Sequence, residues 1–256
     1  MKLRLAQIRI VPEKGDLPGN YAKLLGALRA VAKCRPDVVV TPECFLDGYV
    51  STEPRVTRGN IAAFAIRPES SGYAQGISAW SARHRAWLVL GCTRRVRGGA
   101  ANSALVFNRR GALAGVYDKV HCQAQDRKYV AGQTLPVFRS DFGTFGVMIC
   151  ADRRWPETVR TLALQGARVI FNPTAGMHDD LNLAMMRTRA YESEVFIAFT
   201  HPRLSLVTGP GGEVLTQDRR RQACFALTTL DLAEVGRRRR RPGSHLRGRR
   251  TAAYVR

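Results

Sequence analysis

The chain has 256 residues, with 41 basic against 20 acidic side chains, a net charge of +21, and 45% hydrophobic residues. The hydrophobic share excludes wholesale disorder, and 23 glycines and 12 prolines spread along the chain exclude a collagen-like or linker protein. No apolar run approaches the ~20 residues of a membrane span, and the alternating start MKLRLAQIRI is unlike an export signal. The expectation is a soluble, unexported globular protein. The opening KLRLAQIRI has a period of two and predicts a half-buried strand. Asn20 caps a predicted helix through Leu24, Leu25, Leu28 and Val31. Asp37-Val-Val-Val-Thr-Pro is a buried strand ending at Pro42, followed by a loop over about 44–68 and a helix near 71–84. Strands follow at Trp87–Val96, Ser103–Asn108 and Leu113–His121, the last two joined by the turn Asn108-Arg109-Arg110-Gly111.

A polar stretch reaches Gln133, and two strands then flank Ser140-Asp141-Phe142-Gly143, the second ending at Met148-Ile149-Cys150. Trp155–Gln165 reads as a helix with Pro156 in its first turn and Gly166 as its stop. A buried strand at Val169–Pro173, a helix at Asp180–Glu194 and a strand at Val195–Thr200 come next. Leu204–Val207, Glu213–Thr216 and Cys224–Leu230 read as a closing meander, and the tail beyond Gly236 is basic and poor in apolar residues. Strand–helix–strand order occurs twice, which predicts an α/β domain with helices covering sheet faces.

Cys34, Cys44, Cys92, Cys122, Cys150 and Cys224 lie far apart, with no CxxC pair. That argues against a disulfide scaffold or zinc ribbon and for a reduced, cytoplasmic setting. The charge gathers late: residues 219–256 hold twelve arginines against Asp231 and Glu234. Such a patch can bind nucleic acid, but no aromatic interleaving or nucleic-acid motif accompanies it. A solvated surface or oligomer contact explains it as well.

Three positions place a polar side chain directly after an apolar strand, where α/β sheets gather ligands. They are Glu43 after Val38–Pro42, Lys119 after Gly115–Asp118, and Cys150 after Gly146–Ile149. Singly, each has a plain alternative: a solvated acid, a blunted edge, a packed thiol. Their flanks are Pro42-Glu43-Cys-Phe-Leu-Asp-Gly48-Tyr49, Tyr117-Asp-Lys119-Val-His121 and Gly146-Val-Met-Ile-Cys150-Ala-Asp152-Arg-Arg154-Trp-Pro156-Glu157. Together these segments resemble the nitrilase, or carbon–nitrogen hydrolase, superfamily. Weaker echoes are Asn172-Pro-Thr174, Arg189-Ala-Tyr-Glu192 and Gly209-Pro-Gly-Gly212. The resemblance covers residues 2 to about 236, with 237–256 as an arginine-rich tail.

What it implies is a four-layer αββα sandwich carrying a Glu43–Lys119–Cys150 triad. A thiol near pKa 8.5 is mostly protonated at neutral pH, so Glu43 is expected as its general base. Lys119 and a backbone N–H beside Cys150, that of Ala151, are expected to hold the tetrahedral oxyanion. One such donor is typically worth about 3 kcal/mol. No metal or cofactor is expected. Family members usually carry a second glutamate beyond the lysine; here Asp126 is the only carboxylate available, one methylene shorter. The resemblance also implies a homodimer or larger assembly, and no membrane partner.

Ala151-Asp152 after the cysteine looks like the amidase and carbamoylase branches rather than the Trp-Glu of true nitrilases. The run Asp152–Glu157 is locally similar to N-carbamoyl-D-amino acid hydrolases, although the long insertion those enzymes carry after the lysine is absent. In them the paired arginines bind the substrate carboxylate, a job the guanidinium fork suits. Arg153 and Arg154 are the matching positions here; the alternatives are a solvated Arg153 and a structural Arg154. Tyr49 is either a pocket residue or core. His121 is read as a proton shuttle or a structural hydrogen bond, Cys44 as packing, and His178 with Asp179-Asp180 as a solvated helix start. The leading expectation is a cysteine amidohydrolase acting on a small amide or N-carbamoyl compound through a thioester. Nitrile hydrolysis, nucleic-acid binding and acyl transfer to another acceptor are the rivals.

Overall fold

A computed structural model describes residues 1–220 and 222–254. Twelve strands form two mixed six-stranded sheets. The first half of the chain runs β1 (Lys2–Ile8), α1 (Leu17–Ala32), β2 (Val38–Val40), α2 (Gly72–His84), β3 (Trp87–Val96), β4 (Gly99–Phe107) and β5 (Leu113–Asp118). The second runs β6 (Val137–Ser140), β7 (Gly143–Val147), α3 (Pro156–Leu164), β8 (Val169–Pro173), α4 (Asp180–Ser193), β9 (Phe196–His201), β10 (Leu204–Thr208) and β11 (Val214–Asp218). The chain closes with β12 (Phe225–Asp231) and α5 (Ala233–Arg240), a helix that runs across position 236.

The sheet orders are β12-β1-β2-β3-β4-β5 and β11-β10-β9-β8-β7-β6. In each, three parallel strands lie next to an antiparallel hairpin, and an antiparallel strand (β12 or β6) closes the far side. The period-two, half-buried reading of β1 holds over Lys2–Leu5, and from Leu5 to Ile8 the strand is buried on both faces: Leu3 and Leu5 face Phe145, Val147 and Phe171 of the other sheet in the central core. Ala6 and Ile8 face the opposite way, onto Leu24, Leu28 and Val31 of α1 and Ile77 of α2. On the far side, Ile170 and Ile197 pack against Val159 and Leu162 of α3 and Met186 of α4. Burying each such side chain contributes about 1.5–3 kcal/mol, and the result is a four-layer αββα sandwich.

Three sequence expectations change. Helix α1 begins before Asn20: Asp16 caps it, its side chain accepting from the Gly19 N–H, and Asn20 lies buried within the helix. The closing meander does not form: β12 leaves β11 and pairs with β1 over Lys2↔Asp231 to Ile8↔Phe225. An alternating strand carries no record of which edge it will join, because β1 offered an open one of matching length. The strand expected over Leu113–His121 stops at Asp118, because Lys119 turns inward. Strands β2 and β5 point the same way across their sheet, as do β7 and β8 across theirs. Glu43 and Lys119 therefore lie at one edge, and Cys150 and the loop after β8 at another.

Candidate active site

Glu43 follows β2 on a loop that presses against β3. A Cβ on Gly91 would lie 2.2 Å from the Pro42 carbonyl oxygen, so glycine is what admits the loop there. Glu43 is 1% exposed. Its Oε1 accepts from Lys119 Nζ at 2.7 Å and Asn102 Nδ2 at 2.8 Å, and its Oε2 accepts from the Ala175 N–H at 3.0 Å. The last bond crosses from one sheet to the other. Lys119 is 1% exposed, and its Nζ also donates to Asp126 Oδ2 at 2.7 Å. An ammonium has three N–H donors; these two carboxylates take two of them.

Asp126 sits in the 3-10 turn Ala124–Lys128 and is wholly buried. Its Oδ1 accepts from the Tyr49 hydroxyl at 2.7 Å. Tyr49 is thus the support of Asp126, and its ring lies 5.8 Å from Lys119 Nζ. Burial, with Glu43 and Asp126 nearby, keeps the Tyr49 phenol neutral far above its ordinary range. Burial acts to lower the Lys119 ammonium, but the charges of Glu43, Cys150 and Asp126 outweigh it and hold it above the usual lysine value.

Cys150 opens the 3-10 turn Cys150–Arg154 beyond β7 with φ +45°. A non-glycine residue there costs about 1–3 kcal/mol, the kind of strain that clusters at functional sites. Of the six non-glycine residues with positive φ among those described, Cys44, Tyr49 and Cys150 belong to this region. The thiol is 7% exposed. Burial and the negative Glu43 push it above its ordinary pKa, against the pull of Lys119 and Arg153. Ala151 is the next residue of the turn, where an N–H has no partner within the helix.

The two arginines part company. Arg153 is 1% exposed, donating from Nε to Asn182 Oδ1 at 2.7 Å, from one terminal nitrogen to Cys150 Sγ at 3.5 Å, and from the other to the Met177 carbonyl at 2.8 Å. It also lies 5.3 Å over the Phe199 ring. Arg154 is exposed and donates to Gln123 Oε1 at 2.7 Å. Adjacent residues in a turn face different ways, so the pair does not form one clamp.

His121 Nδ1 pairs with Asp152 Oδ1 at 2.8 Å and stacks on Trp155 with centroids 4.2 Å apart, a structural arrangement. Cys44 is buried against the Tyr129 hydroxyl at 3.7 Å, and burial raises its thiol well above the ordinary value. Asp179 caps α4 through the Asn182 N–H, while His178 stacks on His201 at 4.3 Å.

Sequence reading missed three contributors. Asp152, wholly buried, accepts from the Ile149 N–H at 2.8 Å, the Tyr117 hydroxyl at 2.6 Å and the His121 N–H at 2.9 Å. It ties the cysteine turn to the end of β5, where Lys119 begins. Its signal was present: an acid two residues into a turn can bond back to the chain. Asn102 on β4 and the Ala175 N–H left none, since one is an amide in a strand and the other a backbone group.

The family model described as carbon–nitrogen hydrolase matches residues 2–240. A probable nitrilase, C965.09 of Schizosaccharomyces pombe, is 28% identical over 234 residues, 84% of each chain. The carbon–nitrogen hydrolase structure from Helicobacter pylori G27 superposes with TM-score 0.87 at 20% identity, over 99% of this chain and 97% of that one. An amidase from Nesterenkonia sp. gives TM-score 0.77 at 22% identity, over 98% and 94%. At such identities the structures show that the fold is shared.

Proposed function

The chain belongs to the carbon–nitrogen hydrolase family, and from that premise we propose a cysteine amidohydrolase that cleaves a non-peptide linear C–N bond, amide or N-carbamoyl, in a small molecule. One observation carries the reading: a buried Lys119 held at 2.7 Å by both Glu43 and Asp126. Glu43 takes the Sγ proton as sulfur attacks the carbonyl carbon. The third Lys119 N–H and the Ala151 N–H hold the oxyanion, the kind of preorganised charge that dominates such reactions. The C–N bond then breaks, Glu43 returns the proton to the leaving nitrogen, and ammonia departs. Water, deprotonated by Glu43, cleaves the thioester and restores the thiol. Asp126, fixed by Tyr49, positions Lys119 in place of a longer carboxylate.

Arg153 supports an acid next to the scissile bond as the substrate's recognition group. A guanidinium has five N–H donors, and three are engaged by Asn182, Cys150 and Met177. The two that remain suit a carboxylate. Acidic substrates should then exceed their neutral esters about ten-fold in kcat/KM, and Arg153→Lys should reduce that ratio. An unchanged ratio makes Arg153 a support of the Gly176 loop only.

The deciding experiment is a panel of small amides and N-carbamoyl compounds scored for ammonia, with Cys150→Ala as control. Ammonia release equal in both proteins overturns the proposal. Nitrile hydrolysis is the second reading, favoured by the S. pombe relative's name. A nitrile and its amide assayed side by side separate the two.

A further inference from the structure

A cleft of about 520 Å³ opens beside the loop that follows β8, lined by Arg9, His178, Pro202, Arg203 and Arg219 among others. Its volume is that of a small-molecule site (~300–1,000 Å³). Arg9 directly follows β1 and is 6% exposed, donating to Asp218 Oδ1 at 2.6 Å and the Arg220 carbonyl at 2.6 Å. Its Nε is buried with no hydrogen-bond partner among the described residues. Asp218, the acid at this margin, is shared with Arg220 at 2.6 Å, and the arginine hydrogen bonds hold its carboxyl at about 2. Its charge is therefore already matched. Neither Arg203 nor Arg219 has an acidic partner among the described residues. Arg219 donates to the His178 carbonyl at 3.2 Å. The lining residues Arg9, Arg203 and Arg219 therefore give the cleft an excess of positive charge.

The same loop reaches the cysteine. The Ala175 N–H holds Glu43, a Cβ on Gly176 would lie 3.4 Å from Cys150 Sγ, and the Met177 carbonyl holds Arg153. His201 joins cleft to site: its Nδ1 accepts from the Arg203 N–H at 3.1 Å, and its Nε2 donates to the Ala175 carbonyl at 3.2 Å. Gly176 and His178 are two residues apart, at most ~7 Å of chain, or a tail of about four to six bonds.

We propose that this cleft receives an oxyanion, carboxylate or phosphate, at the far end of the substrate. The scissile-bond half of this statement rests on the hydrolase reading above; the anion half rests on the cleft alone. Full-length Cys150→Ala protein should be titrated calorimetrically with adipic acid monoamide, its methyl ester, and the phosphate monoester of 5-hydroxypentanamide. The acid or the phosphate should bind about ten-fold or more tightly than the ester at low salt, and whichever binds more tightly names the anion. Adding Arg203→Gln and Arg219→Gln, both at exposed positions, should bring the ratio within two-fold. Arg219→Glu should do the same if the double variant fails to fold. Equal binding of acid, phosphate and ester, no measurable binding, or a preference that survives the substitutions overturns the proposal. A preference that survives them and is lost in Arg153→Lys assigns the anion to Arg153. Anion-selective binding in a protein whose Cys150 form turns over no amide would leave the cleft standing and remove the hydrolase reading.

Discussion

At the scale of single residues, the charges around Cys150 oppose one another, and that gives a test beyond loss of activity. Glu43 raises the thiol's pKa, and in the proposed reading it is also the base that takes the thiol's proton. Glu43→Gln should lower turnover at least ~10²-fold, as loss of a general base does. It should also move the pH midpoint of Cys150 alkylation downward, because a negative neighbour has gone. A folded variant with normal turnover, or with an upward shift, contradicts the assignment. Lys119→Ala should cost a similar factor through the oxyanion, while Cys150→Ser should lose nearly all turnover. Tyr49→Phe removes the one side-chain donor to Asp126 Oδ1 among the described residues, in a buried setting. It should cost about 1–3 kcal/mol of stability and lower kcat more than KM, since Asp126 holds Lys119 at 2.7 Å and in the proposed reading acts through it. An unchanged kcat would leave Tyr49 as core.

At the scale of elements, two contacts hold the loops in register. Gly91 on β3 lies so close to the Pro42–Cys44 backbone that Gly91→Ala must displace the segment bearing Glu43. Its overpacking should cost roughly 1–3 kcal/mol, with activity falling faster than stability; a thermal melt and an assay on the same sample decide this. His201 at the end of β9 is the second contact. Its two bonds require the neutral ring, with the proton on Nε2, and burial first, then His178, lowers its pKa from 6.5 to about 4. Below pH 6.5 the unfolded chain binds a proton that the folded one refuses. Stability is therefore full above pH 6.5 and declines as pH falls toward 4, by roughly 3 kcal/mol. Urea unfolding at pH 7 and pH 4.5 should show that decline, and His201→Gln should flatten it. Equal slopes in the two proteins would assign the loss to other groups.

At the scale of the whole molecule, the basic C-terminal segment is partly a structural clasp. Glu194, 2% exposed after α4, accepts from the Ser244 hydroxyl at 2.8 Å and the His245 N–H at 2.9 Å. Ending the chain at Arg241 would leave that carboxylate without either donor, at about 1–3 kcal/mol for each unmet bond. The shortened protein should melt several degrees lower; an unchanged Tm would show that the clasp contributes nothing. Of the arginine run, Arg237 pairs with Asp231, Arg238 lies over the Tyr191 ring and Arg239 donates to the Ala167 carbonyl, while Arg240 and Arg241 are exposed. Nucleic-acid binding through these arginines would show as an affinity that falls steeply with salt.

Much of this molecule was legible in one dimension. Apolar spacing located β1, β2, α1 and β8, because burial on two faces or one imposes a period that side chains must obey. Chemistry at strand ends singled out Glu43, Lys119 and Cys150, because parallel strands deliver their carboxyl ends to one edge. Tertiary structure decided the rest. That β12 joins β1 and not β11 depended on which edge was open, something no local pattern encodes. Arg153 and Arg154, equal as letters, were separated by a turn that buried one beside sulfur and exposed the other. Tyr49, Asp152 and the Ala175 N–H acquired their positions only when two sheets met, since a hydrogen bond between residues distant in sequence exists in three dimensions alone.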